Sequence, residues 1–130
     1  MHPHHAKPKA PSWRWKARLA SFGHAGRGCL TLVRTQHNAW IHLAASLAVL
    51  GAGLLCGLQP LEWAVLALAM ALVWAAEALN TAVEFLTDLV SPQHHPLAGH
   101  AKDVAAAAVL LAAIGAAVAG LCVFVPHLIR

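Results

Sequence analysis

Residues 77–88 read EALNTAVEFLTD, which sets carboxylates and an asparagine inside an otherwise apolar part of the chain. A helix turns about 100° per residue, so the polar positions of this stretch fall within an arc of about 100°. They are Glu77, Asn80, Thr81, Glu84 and Asp88. Residues 63–76 contain only Trp, Met and aliphatic side chains, with no charged group. Because ionisable groups in an apolar helix are costly, their presence indicates a functional site.

The composition is that of an integral membrane protein. Of the 130 residues, 59% are apolar and only 11% are charged, and the mean hydropathy is positive. That is too apolar for an ordinary soluble domain of this length. A single small domain leaves no room for a separate catalytic module, so any chemistry must be built from the membrane helices and their short connections.

The apolar runs predict an all-α fold with three transmembrane helices, at about residues 39–58, 61–90 and 103–125. A span needs about 20 residues to cross a hydrocarbon core that is about 30 Å thick. The second run is longer than a span needs, so we expect its acidic end to project into the cytoplasmic interface. Residues 91–99 connect the second and third helices and contain two prolines.

The N-terminal segment differs from the spans because it mixes basic and apolar residues. Residues 12–38 carry Trp, Phe and Leu among Arg and Lys, a pattern typical of an amphipathic helix that lies in the membrane interface. Gly23, Gly26 and Gly28 each cost a helix about 1 kcal/mol, so we expect a break or a close approach there. Residues 1–11 are expected to form a disordered tail, and residues 12–130 a single membrane domain.

The Lys and Arg residues lie mainly at the N-terminal end, and no Lys or Arg occurs between Arg34 and Lys102. An excess of Lys and Arg beside membrane spans marks the cytoplasmic side and attracts anionic lipid head groups. With three spans, this distribution predicts a cytoplasmic N-terminus and a C-terminus on the outer side. A net charge of +4 arranged in this way does not favour nucleic-acid binding.

The polar groups expected at the cytoplasmic face favour phosphoryl transfer. Glu84 and Asp88 are one helical turn apart and repel each other unless a divalent metal or a lysine lies between them. Hard oxygen ligands favour Mg²⁺, which normally accompanies phosphate groups. Phosphoryl transfer needs a metal, a cation on the phosphates and a base for the attacking hydroxyl, and Lys102 completes this set.

Two other interpretations apply to the same residues. Polar side chains in membrane helices often join one helix to another by hydrogen bonds, and this structural role is the alternative to catalysis. An ion or proton pathway would need acids spread across the membrane. The acids of this chain cluster near one face, which disfavours transport.

Several motifs resemble the prokaryotic family of diacylglycerol kinases and undecaprenol kinases. They are EALNTAVE at 77–84 followed by Asp88, HHPLA at 94–98, AKDVAAAAV at 101–109, HAGRG at 24–28 and RTxxN at 34–38. The resemblance implies three membrane helices with an interfacial helix, and a homotrimer with sites at subunit boundaries. It also implies Mg²⁺- and ATP-dependent phosphorylation of a lipid alcohol in a bacterial inner membrane.

The resemblance further implies a role for each residue of these motifs. Glu77 would be the general base on the lipid hydroxyl, and Glu84 would bind the metal that bridges the ATP phosphates. The other nucleotide-site residues would be His24, Arg27, Asn80, Asp88, Gln93, His94, His95, Lys102 and Asp103.

One position departs from the family pattern. After Arg34 and Thr35 the family usually carries a glutamate that shares metal binding, whereas this chain has Gln36. An amide oxygen can ligate Mg²⁺ but brings no negative charge, so we expect Gln36 to take part in a weaker metal site. A catalytically impaired homologue, with a structural or lipid-binding role, is therefore the alternative from another class.

The choice of lipid rests on the same resemblance. HHPLA in the loop and HAGRG upstream resemble the undecaprenol kinase branch, so undecaprenol is the expected acceptor. Diacylglycerol is the alternative, because both lipids present a primary hydroxyl at the level of the head groups.

Overall fold

The computed structural model describes residues 12–129, so the tail expected at 1–11 lies outside the described residues. Within residues 12–129 the chain forms helices joined by short connections and contains no β-strand. The helices are α1 (Ser12–Thr35), α2 (His37–Cys56), α3 (Pro60–Val90) and α4 (Pro96–Leu128). Helices α2, α3 and α4 are long and apolar enough to cross a membrane, which confirms the predicted all-α membrane fold.

The chain divides into two compact units, and the first ends at residue 31. In this first unit Trp15, Leu19 and Phe22 are exposed and recur at helical spacing along α1. The guanidinium of Arg18 lies 5.3 Å from the centroid of the Trp15 ring, which is a cation–π contact. Exposed apolar side chains beside cationic groups are typical of a helix at a membrane surface.

The expected break at the glycines of α1 is wrong, because this helix runs without interruption from Ser12 to Thr35. Glycine keeps its backbone N–H and so weakens a helix without ending it. A close approach is absent as well at Gly26 and Gly28, where a Cβ would meet no neighbouring atom within 4 Å.

A tight turn reverses the chain between α2 and α3. Gly57 has a left-handed φ of 65°, which glycine adopts without strain. Pro60 then occupies the first helical position, where its fixed φ is favourable. Gln59 and Glu62 form a reciprocal capping box, in which the Gln59 N–H donates to Glu62 Oε2 at 2.8 Å. The turn therefore fixes where α3 begins.

Several observed helix ends differ from the predicted ones. Helix α1 ends at residue 35 and α2 begins at His37, since only Gln36 leaves the helical conformation, with φ −105° and ψ 119°. Helix α4 begins at Pro96 instead of residue 103 and ends at 128 instead of 125. It begins early because the His95 ring accepts a hydrogen bond from the Leu97 N–H at 3.2 Å. An apolar run marks the part of a helix that crosses lipid and does not mark its caps.

In the second unit, apolar side chains are exposed and polar side chains are buried, which is the reverse of the pattern in a soluble protein. Large apolar side chains face outward along the three long helices, and Leu55 is 90% exposed. Glu77 has no exposed surface, and Asn80 and Thr81 are also buried. An apolar exterior suits lipid chains or other membrane helices. Chemistry in this unit must therefore be sought in its polar interior.

Gly53 of α2 packs closely against the start of α3. A Cβ at this position would lie 2.6 Å from the outer ring carbon Cη2 of Trp63 and 3.0 Å from Leu58 Cδ1. Trp63 itself packs against a buried apolar cluster that includes Leu66 and Val123. The missing side chain at residue 53 thus lets the indole ring reach this cluster.

We predict that Gly53→Ala is less stable than Gly51→Ala. At Gly51 an added Cβ meets no atom within 4 Å, so alanine gains about 1 kcal/mol of helix propensity there. At Gly53 the indole ring must move, which costs about 1–3 kcal/mol by overpacking. Thermal unfolding of both variants in detergent, followed by circular dichroism, measures the difference. An equal or higher melting temperature for Gly53→Ala would contradict this packing.

Candidate functional site

The polar face of α3 forms a column that leads from the interior of the second unit to its surface. Glu77 is 0% exposed, Asn80 is 5% exposed and Glu84 is partly exposed, whereas the Asp88 side chain is 66% exposed. At 1.5 Å per residue, this column is about 16 Å long. It therefore joins a buried carboxylate to the connection between α3 and α4.

Glu77 lies at the buried end of the column. Neither carboxylate oxygen has a hydrogen-bond partner, and Nε2 of His42, on α2, lies 3.7 Å from Oε2. The two residues line a cavity of about 250 Å³ between α2, α3 and α4, together with Asn38 and Asn80. Buried polar groups nearly always have a hydrogen-bond partner. Glu77 is therefore free to accept a hydrogen bond from a ligand in this cavity.

Glu84 is held by two amide side chains. Gln36, between α1 and α2, donates from Nε2 to Glu84 Oε2 at 3.0 Å. Asn80 donates from Nδ2 to Glu84 Oε1 at 3.1 Å, while its own Oδ1 is buried without a partner. The two amides fix the orientation of the Glu84 carboxylate and tie α3 to the connection that precedes α2.

Asp88 pairs with Lys102 of α4 at the outer end of the column, with Nζ and Oδ1 2.5 Å apart. The repulsion between Glu84 and Asp88 predicts a cation near them, and in the structure the ammonium group of Lys102 lies at Asp88. The pair is substantially exposed, so it adds little to stability. Its lysine is accessible to an anionic ligand from the aqueous side.

The connection between α3 and α4 forms a cleft of about 310 Å³ beside this ion pair. Gln93, His94 and His95 line it together with Asp88 and Lys102. The Gln93 carbonyl accepts a hydrogen bond from Ser91 Oγ at 3.0 Å, which orders the connection. The size and polar lining of the cleft suit phosphate groups or part of a nucleotide.

One predicted site residue of the second unit, Asp103, lies away from this column. Asp103 is exposed on α4 and outside the cleft lining, since one residue turns it about 100° from Lys102. His24 and Arg27 belong to the first unit, where Arg27 Nη2 donates to His24 Nδ1 at 2.8 Å. That hydrogen bond joins the two residues along one face of α1.

The groups around Glu84 can contribute to binding a hard cation but do not complete a site. Among residues 12–129, no group of three His, Cys, Asp or Glu side chains converges on a common point. Glu84 supplies a carboxylate, and the amide oxygens of Gln36 and Asn80 are available if these amides rotate. Mg²⁺ is commonly held by one or two carboxylates together with substrate phosphates. The donor set therefore fits a metal that arrives with a nucleotide.

His42 is the site residue that sequence reasoning missed. A histidine in an apolar helix has no motif of its own, and its neighbour Glu77 is 35 positions away. One signal was available, because His42 is the only His, Asp, Glu, Lys or Arg in residues 39–58. An ionisable group within a membrane span indicates a functional site.

The membrane-spanning helices carry a buried carboxylate, oxygen ligands and a lysine. These are the groups that an integral membrane phosphotransferase needs. The family model described as prokaryotic diacylglycerol kinase matches residues 23–124, and the chain belongs to this family. It is therefore a prokaryotic lipid kinase, which transfers phosphate to the alcohol group of a lipid. The family implies a nucleotide substrate with a divalent metal, and a bacterial membrane as its location.

Relatives named undecaprenol kinase and relatives named diacylglycerol kinase are both similar to this chain. An undecaprenol kinase of Bacillus subtilis is 44% identical over 108 residues, which are 83% of this chain and 88% of that protein. A diacylglycerol kinase of Synechocystis is 46% identical over 112 residues, which are 85% of this chain and 64% of that protein. A diacylglycerol kinase of Escherichia coli strain K12 is 45% identical over 47 residues, or 36% of this chain and 38% of that protein. The predicted family is confirmed.

We predict that Gln36→Glu lowers the Mg²⁺ concentration needed for half-maximal activity. The new carboxylate would face Glu84 where Gln36 now donates a hydrogen bond, so the two acids would repel without a cation and bind one more tightly. Titration of activity with Mg²⁺ at saturating ATP measures the effect, with Gln59→Glu, at the opposite end of α3, as a control that adds the same charge. An unchanged or higher Mg²⁺ requirement would count against a ligand role for residue 36.

Proposed function

We propose that this protein transfers the γ-phosphate of ATP, with Mg²⁺, to the hydroxyl of undecaprenol and forms undecaprenyl phosphate. The observation that carries the proposal is the Glu77 carboxylate, which is 0% exposed and has two unpartnered oxygens facing a cavity of about 250 Å³. A lipid hydroxyl entering this cavity would meet a proton acceptor with no competing hydrogen bond. Water has little access to the same carboxylate, which favours transfer to a lipid over hydrolysis of ATP.

We assign the binding of ATP, the phosphate donor, to the outer part of the column. Glu84 and Gln36 would hold Mg²⁺, and Asn80 would orient Glu84 through the hydrogen bond at 3.1 Å. When bound, the metal would neutralise charge on the phosphate oxygens. Lys102 would contact the phosphates in the cleft between α3 and α4, where Asp88 now holds its ammonium group.

The remaining predicted site residues are assigned to the binding of the nucleotide. Gln93, His94 and His95 line the cleft and would contact the nucleotide there. Asp103 is proposed, with Lys102, to bind the nucleotide phosphates and to order the connection that contains His94 and His95. His24 and Arg27, on α1, are proposed to act near the nucleotide as members of the same family motif set.

The proposed reaction is a direct displacement at the γ-phosphorus. The lipid hydroxyl oxygen forms a bond to that phosphorus while its proton passes to a carboxylate oxygen of Glu77. The bond from the γ-phosphorus to the oxygen bridging the β- and γ-phosphates breaks, and ADP leaves with its electron pair. General base assistance of this kind contributes about 10²–10⁴-fold in rate.

The choice of undecaprenol over diacylglycerol is supported by the extent of similarity. The undecaprenol kinase of Bacillus subtilis is matched over 88% of its length, compared with 64% for the diacylglycerol kinase of Synechocystis. Identity is nevertheless similar, at 44% and 46%, so diacylglycerol is the second candidate acceptor.

The setting of this reaction is also part of the proposal. Residues 12–130 would act as one lipid kinase domain in the bacterial inner membrane, with the N-terminus in the cytoplasm and the C-terminus outside. The basic residues before α2 support this orientation. We propose a homotrimer, which the outward-facing apolar side chains of α2, α3 and α4 would support.

We predict that purified protein with Mg²⁺ and ATP labelled in the γ-phosphate labels undecaprenol faster than diacylglycerol when the two are presented in matched micelles. Thin-layer separation of the lipid products gives both initial rates. Faster labelling of diacylglycerol would replace the acceptor with the second candidate. Labelling of neither lipid by folded protein would favour the catalytically impaired homologue, in which Gln36 leaves the metal site too weak.

We predict that Glu77→Gln lowers the rate of lipid phosphorylation by at least about 100-fold, because an amide cannot accept the hydroxyl proton. Glu62→Gln is the matched control, since Glu62 lies at the opposite end of α3 and pairs with His127 at 2.9 Å. The control should keep its activity, and both variants should elute with the wild-type oligomer in size-exclusion chromatography. Persistence of phosphorylation in Glu77→Gln would remove Glu77 from the role of base.

A further inference from the structure

The described residues around Glu77 offer it a single ionisable neighbour. His42 Nε2 and both oxygens of Glu77 are buried without hydrogen-bond partners, and Nε2 lies 3.7 Å from Oε2. That distance exceeds a hydrogen bond, but a small rotation of either side chain would close it. The His42 ring therefore stands within reach of one oxygen of the buried carboxylate.

None of the other side chains that line this cavity with His42 and Glu77 is ionisable. Helix α4 presents only apolar side chains, which are Ala106, Val109, Leu110 and Ala113. Helix α2 adds Asn38 and Ile41, and α3 adds Asn80, whose amide nitrogen is already directed at Glu84. A buried carboxylate without a donor or an opposite charge is strongly unfavourable. Of the lining residues, His42 has a buried nitrogen without a partner that lies 3.7 Å from this carboxylate.

The position of the His42 ring is set by neighbouring contacts. Trp74 of α3 packs against it edge-on, with ring centroids 6.3 Å apart and an interplanar angle of 68°. Ser46 Oγ donates to the His42 backbone carbonyl at 2.7 Å and accepts a hydrogen bond from Trp74 Nε1 at 3.1 Å. These contacts join α2 to α3 at the level of Glu77. The imidazole is thus held beside the carboxylate by packing that does not involve Glu77 itself.

We infer that His42 is a positioning residue for Glu77, donating a hydrogen bond from Nε2 to Glu77 Oε2 and thereby orienting the carboxylate. This inference rests on the proposed role of Glu77 as the base. Because His42 occupies Oε2, it leaves Oε1 free to take the lipid hydroxyl proton. The proton passes from the lipid oxygen to Oε1, and the N–H of His42 stays in place throughout.

A comparison of His42→Leu with His42→Gln tests this role. A glutamine amide N–H can reach the position of Nε2, whereas leucine fills the space without a donor. We expect His42→Leu to lower kcat about tenfold or more with the KM for ATP unchanged, and His42→Gln to keep most of the activity. His100→Leu, an exposed histidine of α4, is the control and should leave kcat unchanged. Equal losses in the leucine and glutamine variants, or wild-type kcat in His42→Leu, would overturn the inference.

A second measurement detects the pair without using activity. Thermal unfolding is compared for wild type, His42→Leu, Glu77→Gln and the double variant. We expect His42→Leu to lower the melting temperature, because it leaves the Glu77 carboxylate alone, and to lower it much less in the Glu77→Gln background. Equal shifts in both backgrounds would overturn the pairing. If wild-type protein phosphorylates neither lipid, the proposed function fails, and this stability cycle alone decides whether His42 and Glu77 interact.

Discussion

A carboxylate buried among apolar helices is unfavourable unless other groups compensate for it, and Glu77 imposes this constraint on the present fold. It has no exposed surface and no hydrogen bond, and the nearest ionisable group is His42 on a neighbouring helix. Replacing Glu77 with an apolar residue of similar size would suit the packing better. The proposed role of Glu77 as the proton acceptor gives a reason for an acid at this buried position.

The remaining polar residues of α3 connect the buried Glu77 carboxylate with the aqueous surface. Along the polar face of α3, from Glu77 through Asn80 and Glu84 to Asp88, the exposed fraction rises, so a single helix carries a carboxylate in the interior and another beside an aqueous cleft. A lipid kinase must bring together two substrates that differ in this way, because its acceptor lies in the membrane and its donor is a soluble nucleotide. Glu84, held between Gln36 and Asn80, lies between the two ends.

Much of the fold could be predicted from local sequence, because span length, apolar runs and the polar face of α3 all depend on residues close together in the chain. The early start of α4 could not, since it depends on the His95 ring capping the helix and on Pro96 at its first position. Continuity of α1 through its glycines was also missed, because propensity measures a cost and does not determine whether a helix breaks. The three long helices were all found.

The site was predictable as a set of residue types and less so as a set of contacts. The polar face of α3 could be placed from periodicity, and a divalent metal or a lysine was expected between its acids Glu84 and Asp88. The hydrogen bond from Gln36 to Glu84 joins positions 48 residues apart, and periodicity within one helix carries no information about it. The same holds for His42, which becomes noticeable only when α2 packs beside Glu77.

The most direct test of the proposed site is a structure of the full chain in lipid with Mg²⁺, a non-hydrolysable ATP analogue and undecaprenol. We expect the γ-phosphate between Glu84 and Glu77, with the metal on Glu84 and the lipid hydroxyl within hydrogen-bond distance of a Glu77 oxygen. Phosphates bound away from Glu84, or a lipid hydroxyl out of reach of Glu77, would contradict it.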